Sequence, residues 1–151
     1  MKKIKIILIL SLSFHYCIIA QTKLNPSDFN GAPATLKNYK ALYFLDESDE
    51  KKMKSILRNI NNALEDPRLK GKLEVELVAF GEGIELFKKT NHYDTTLLRL
   101  QDKGLIFAQC LNTMRSHNVS KDELWPFISY VPTGNGEIII RQSEGWSVIH
   151  P

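Results

Sequence analysis

Two cysteines are all that the 151 residues contain, and they sit far apart at Cys17 and Cys110. If Cys17 departs with a leader, the remaining domain holds one thiol and cannot close an internal disulfide. Histidines are equally sparse: His92, His117 and His150 stand apart in the chain, with no four-residue helical pair and no cysteine at ligand spacing. That argues against a zinc centre, and no metal site is expected. Glycine is also scarce, at eight residues, and Gly81-Glu82-Gly83 lacks the further glycine or the lysine of a phosphate-cradling loop. Dinucleotide binding is disfavoured, and no cofactor is expected. Internal repeats and low-complexity tracts are absent.

Net charge is small as well. The formal value is +3, but Lys2, Lys3 and Lys5 lie in the first 20 residues, which hold no acid, so the rest carries 17 basic against 17 acidic residues. No basic footprint remains for nucleic acid. Those lysines precede an apolar run of residues 6–12 that continues, interrupted by Ser11, Ser13 and His15, to Ala20. This is the pattern of a secretory signal peptide, residues 1–20, with cleavage after Ala20 and a periplasmic or secreted product. The stretch is short for a membrane span. The alternatives are a lipoprotein acylated at Cys17, which the bulky Phe14, His15 and Tyr16 disfavour, and an uncleaved amino-terminal anchor. After signal removal no membrane association is expected.

What is present is 43% hydrophobic and 25% charged residues, enough for one globular domain. Residues 21–38 lack periodicity and read as an extended arm or linker, leaving residues 39–151 as the domain. Residues 39–45 form a compact apolar strand, followed by acids suited to a helix start. Met53, Ile56, Leu57, Ile60 and Leu64 then make one buried helical stripe. Residues 73–80 read as a second strand. A short helix over 84–89 precedes another that Asp94 or Thr95 caps and Gly104 closes. Residues 105–110 make a third strand, a brief helix runs to about His117, and Ser120 with Glu123 has capping-box spacing. Residues 128–131 give a fourth strand and 146–149 a fifth. Residues 137–143 are ambiguous, because Ile138, Ile139 and Ile140 favour strand locally while the alternation of elements favours helix.

Such alternation implies a three-layer α/β/α sandwich around a mainly parallel sheet. Sheets of this class bind ligands beyond the carboxyl ends of their strands, which selects residues 46–48, 81–83, 110–113 and 132–135. Cys110 is the candidate catalytic residue: it ends a strand just before a helix, where free amide groups stabilise a thiolate. A small apolar core residue is the plainer reading. Asn112 and Thr113 can hydrogen-bond at the same point or serve as ordinary caps. Asn59 is unexpected inside a helix and could reach the strand-end crevice, although solvated surface is the commoner explanation. Gly81, Thr133 and Gly134 complete the set of candidate ligand-binding residues.

Arg58-Asn59-Ile60-Asn61-Asn62-Ala63-Leu64, Gly81-Glu82-Gly83-Ile84, the segment from Gly104 through Cys110 to Met114, Val131-Pro132-Thr133-Gly134 and Glu144-Gly145-Trp146 together resemble the DsrE family of the DsrE/DsrF-like superfamily. The resemblance spans about residues 40–151. It implies a five-stranded, mostly parallel sheet and a helix over residues 137–143. Characterised relatives include sulfur-relay proteins that carry a persulfide on a cysteine in this region, and Cys110 is the matching position. The resemblance thus implies a sulfur carrier or sulfurtransferase-like protein with a donor or acceptor protein as partner, assembled as a homo-oligomer, trimer or hexamer. The alternative is a non-catalytic oligomeric module of the same fold that binds a small ligand or a protein. Sulfur-relay members work in the cytoplasm, whereas this chain carries an export-type leader.

Overall fold

A computed structural model describes residues 26–150; the signal segment and its cleavage point at Ala20 lie outside the described residues. The chain divides into two units between Ala32 and Pro33. In the first, Pro26–Asp28 forms a single 3-10 turn. The second holds the sheet and its helices.

Five strands, β1 (Tyr39–Leu45), β2 (Leu73–Ala79), β3 (Leu105–Cys110), β4 (Ser129–Val131) and β5 (Ser147–Ile149), form one sheet in the order β4-β3-β2-β1-β5. Every neighbouring pair is parallel, with Tyr39 opposite Leu73, Val75 opposite Leu105, Ala108 opposite Ser129 and Ala41 opposite Ser147. The helices are α1 (Glu50–Glu65), α2 (Asp94–Asp102), α3 (Leu111–Ser116) and α4 (Gly134–Ser143). Strands β1 to β4 step in one direction, so their right-handed crossovers put α1, α2 and α3 on one face. The return from β4 past β1 to β5 puts α4 on the other.

The two faces differ in depth. Under α1 and α2 lies the main core, in which Met53, Ile56, Leu57 and Ile60 of α1 and Leu97 and Leu100 of α2 pack on Ala41, Tyr43, Val75, Leu77 and Phe107. Phe87 meets Phe107 edge-on at 5.6 Å between ring centres. Each such large side chain contributes about 2–3 kcal/mol by burial. Under α4 the buried cluster, among the described residues, is only Leu42, Val78, Ala108 and Trp146.

Local rules account for most boundaries. Asp49 caps α1, its carboxylate accepting from Lys52 N at 2.9 Å. Gly104, at φ +92°, follows the end of α2, where a left-handed residue ends a helix. Ser120 and Glu123 do form a capping box, here on a 3-10 turn. Three expectations need correction. The segment expected as a helix over 84–89 is a 3-10 helix, Gly81–Phe87. Neither Asp94 nor Thr95 caps α2: Asp94 is its first residue and Tyr93 the cap position, with no side-chain capping bond. Strand β4 begins at Ser129, because Ile128 N is taken by Trp125 O at 3.2 Å in a turn.

Residues 137–143 are helical despite three successive isoleucines. Thr133 supplies the reason at the start, its hydroxyl accepting from Gly136 N at 2.9 Å. The inward stripe of α4 is Gly134, Glu137, Ile138 and Arg141, while Ile139 and Ile140 are 64% and 55% exposed. Arg141 bonds Glu76 of β2 at 2.9 Å and Glu137 at 2.8 Å, and its guanidinium lies 4.5 Å from the Trp146 ring centre. Among the described residues no helix is long and apolar enough to cross a membrane.

Candidate functional site

Because all five strands are parallel, residues 46–48, 81–83, 110–113 and 132–135 share the carboxyl edge of the sheet. Cys110 ends β3 and sits at the cap position of α3. Alternation along β3 turns Ala108 and Cys110 toward the α4 face and Phe107 toward the main core. The thiol is therefore placed beside the start of α4.

Cys110 is 4% exposed. Its sulfur nevertheless meets hydrogen-bond donors, among them Thr113 N at 3.4 Å. Burial pushes the thiol pKa up, but the Thr113 hydroxyl and the backbone amides of Thr113, Gly134 and Asn112 together hold it below the ordinary cysteine value. The Thr113 hydroxyl oxygen accepts from Gly81 N at 2.9 Å, which leaves its proton free to point at sulfur. One chain of contacts thus links the loop after β2, the start of α3 and the start of α4 to a single atom.

Two glycines make that convergence possible. Gly81 has φ +52°, and a β-carbon there would lie 3.2 Å from Asp46 O. A β-carbon on Gly134 would lie 2.6 Å from Cδ1 of Phe80, so only glycine lets α4 start this close to β2. On the far side of Cys110, buried Gln109 donates from Nε2 to Cys110 O at 3.2 Å. Its Oε1 is buried and has no hydrogen-bond partner among the described residues.

Of the residues singled out from sequence, Cys110, Asn112, Thr113, Gly81, Thr133 and Gly134 come together here. Asn112 contributes its amide, while its side-chain oxygen accepts from Arg115. Thr133 acts through α4, as its cap. Asn59 is half-buried in the middle of α1, and no hydrogen bond joins it to this group. Sequence reasoning missed Phe80, which sets the position of Gly134. It also missed a row of stacked rings along the same edge, Phe80 on Phe44 at 5.9 Å and Phe44 on His150 at 4.3 Å.

His150 stands 3.3 Å from Asp46, and ligand atoms of Asp46, Glu47 and His150 lie within 4.8 Å of one another. Among the described residues these three are the best placed to hold a metal ion. Ion pairing already occupies Glu47, which meets Lys52 at 3.6 Å. The parallel pairing of β1 with β5 makes the grouping, so no sequence spacing could announce it.

Comparison with known proteins agrees with this architecture. No curated protein matches the chain. Among solved structures, MTH1491 from Methanobacterium thermoautotrophicum, a protein of unknown function, is 30% identical with a TM-score of 0.71, the match covering 76% of this chain and all of that one. BT1422 from Bacteroides thetaiotaomicron, a conserved protein of unknown function, shares the fold at 13% identity and a TM-score of 0.59, over 74% of this chain and 94% of that one. The profile of the DsrE/DsrF-like family matches residues 24–151, and the chain belongs to that family.

Proposed function

We propose that this protein is an exported sulfur carrier that holds a persulfide on Cys110. The observation that carries the reading is the convergence of the Thr113 hydroxyl and the amides of Asn112, Thr113 and Gly134 on one sulfur, which favours thiolate over thiol. In the forward step the Cys110 thiolate attacks the outer sulfur of a donor persulfide, R–S–SH. A new S–S bond forms at Cys110, the donor S–S bond breaks, and the donor leaves as the thiolate RS⁻ with the bonding pair. The persulfide proton stays on the transferred sulfur, and no external oxidant or reductant is consumed. An acceptor thiolate reverses the sequence. No side-chain base contacts the sulfur among the described residues, so the protein acts as a carrier between donor and acceptor proteins. Export rests on the leader of residues 1–20.

Assembly into a homo-oligomer belongs to the same reading. A parallel sheet is ordinarily covered on both faces, yet among the described residues α4 is the only helix on one face here. Ile106 of β3 is 46% exposed on that side, and Ile139 and Ile140 project outward from α4. A second copy of the chain is the occupant that covers them.

The deciding measurement is intact mass after incubation with inorganic polysulfide. One added sulfur, removed by reductant and missing in Cys110→Ser, supports the carrier. No reducible adduct under any donor overturns it. The 4% exposure of Cys110 favours a second reading, a non-catalytic binding module in which the thiol only packs. In that case thiol reagents label the folded protein slowly and the unfolded protein fast, and Cys110→Ala leaves ligand or partner binding intact.

A further inference from the structure

On the face opposite Cys110, α1 and α2 flank a cavity of about 410 Å³. We infer that this cavity binds an organic phosphate monoester, with Arg58 and Arg99 gripping the phosphate and Leu57 and Tyr93 meeting the organic group.

Three cationic side chains, Lys54, Arg58 and Arg99, line the cavity, and no carboxylate does. Half of the lysines and arginines among the described residues pair with a carboxylate. Arg68 and Arg141 each bond a carboxylate, and Arg115 bonds the Asn112 side chain. Arg58, by contrast, makes only a 3.4 Å contact with Ser55, and Arg99 makes no hydrogen bond or ion pair among the described residues. Lys54 is bound to Glu50, so two unpaired guanidinium groups dominate the cavity. Paired planar forks suit a dianionic oxyanion better than a single carboxylate, because each presents two parallel N–H groups to two oxygens. The Thr96 hydroxyl adds a neutral donor. Leu57 is buried and Tyr93 half-buried, which gives the site an apolar floor, and its volume is that of a small-molecule pocket.

The site needs nothing from Cys110, which separates this inference from the sulfur reading. The test is titration of the full folded chain with phenyl phosphate at low salt, followed by amide NMR, with phenol as the uncharged control. Saturable binding is expected, with shifts centred on residues 57–61 and 93–99 and none from phenol. Arg58→Gln and Arg99→Gln, both exposed and expected to fold, should each weaken binding about tenfold, the effect of one charge-assisted hydrogen bond. Cys110→Ser should bind like the parent. Shifts that never saturate, affinity indifferent to both arginine variants, or binding abolished by Cys110→Ser would each overturn the assignment.

Discussion

Burial and hydrogen bonding act against each other on Cys110, and the thiol ends below the ordinary cysteine value because several donors converge on it. The pH profile of alkylation by iodoacetamide should therefore have its midpoint below that of a free cysteine. In Thr113→Val, which loses the hydroxyl donor, the midpoint should rise. An unchanged midpoint would show that the hydroxyl does not reach the sulfur. Glu76 is the opposite case. Burial raises its pKa, with Arg141 opposing and Glu137 reinforcing the rise. Since its folded value exceeds the unfolded one, its contribution to stability is fully present below the unfolded value and is lost as pH climbs through the folded one. Arg141→Met strands Glu76 and also releases Glu137 and Glu144, so it should cost about 3 kcal/mol at pH 7. At pH 5 the loss should shrink as Glu76 takes up its proton. Urea denaturation at the two pH values checks this, and an equal loss at both would count against it.

At the scale of elements, α4 links packing to the thiol. Its first residue donates to Cys110 and its last turns anchor it to Glu76. Thr133→Ala removes the cap and should destabilise by about 1 kcal/mol in thermal unfolding. Gly134→Ala forces the helix start away from Phe80, at about 1–3 kcal/mol, and should raise the alkylation midpoint as the amide withdraws. A midpoint that stays put despite lost stability would separate the helix from the thiol. Elements with one clean pattern were legible from the sequence: β1 and β3 match their expected bounds and α1 buries its expected stripe, because apolar periodicity coincides with burial. Helix α4 was not. Its buried stripe holds a glycine, a glutamate and an arginine, while two of its isoleucines face outward, so hydrophobic pattern and burial disagree. The alternation of elements and the family resemblance pointed to helix there, against the local pattern.

For the molecule as a whole, that inversion bears on assembly. A helix that turns charges toward a buried glutamate and isoleucines toward the outside has its apolar face directed at something beyond its own sheet. In light scattering the protein should have a mass that is a multiple of the monomer. Ile139→Lys with Ile140→Lys should shift it to monomer with an unchanged circular dichroism spectrum; a monomeric parent would overturn the assembly.

Helix α4 apart, the order of strands and helices, the α/β character and the place of Cys110 at a strand end were determined by the sequence, because each follows from periodicity and capping within a few residues. Tertiary structure alone decided the rest: Gly134 meets Cys110 across 24 positions, Arg141 meets Glu76 across 65, and His150 meets Asp46 across the β1–β5 pairing. Those contacts are fixed by sheet order and crossover hand, which bring distant segments together without leaving any spacing in the chain to read.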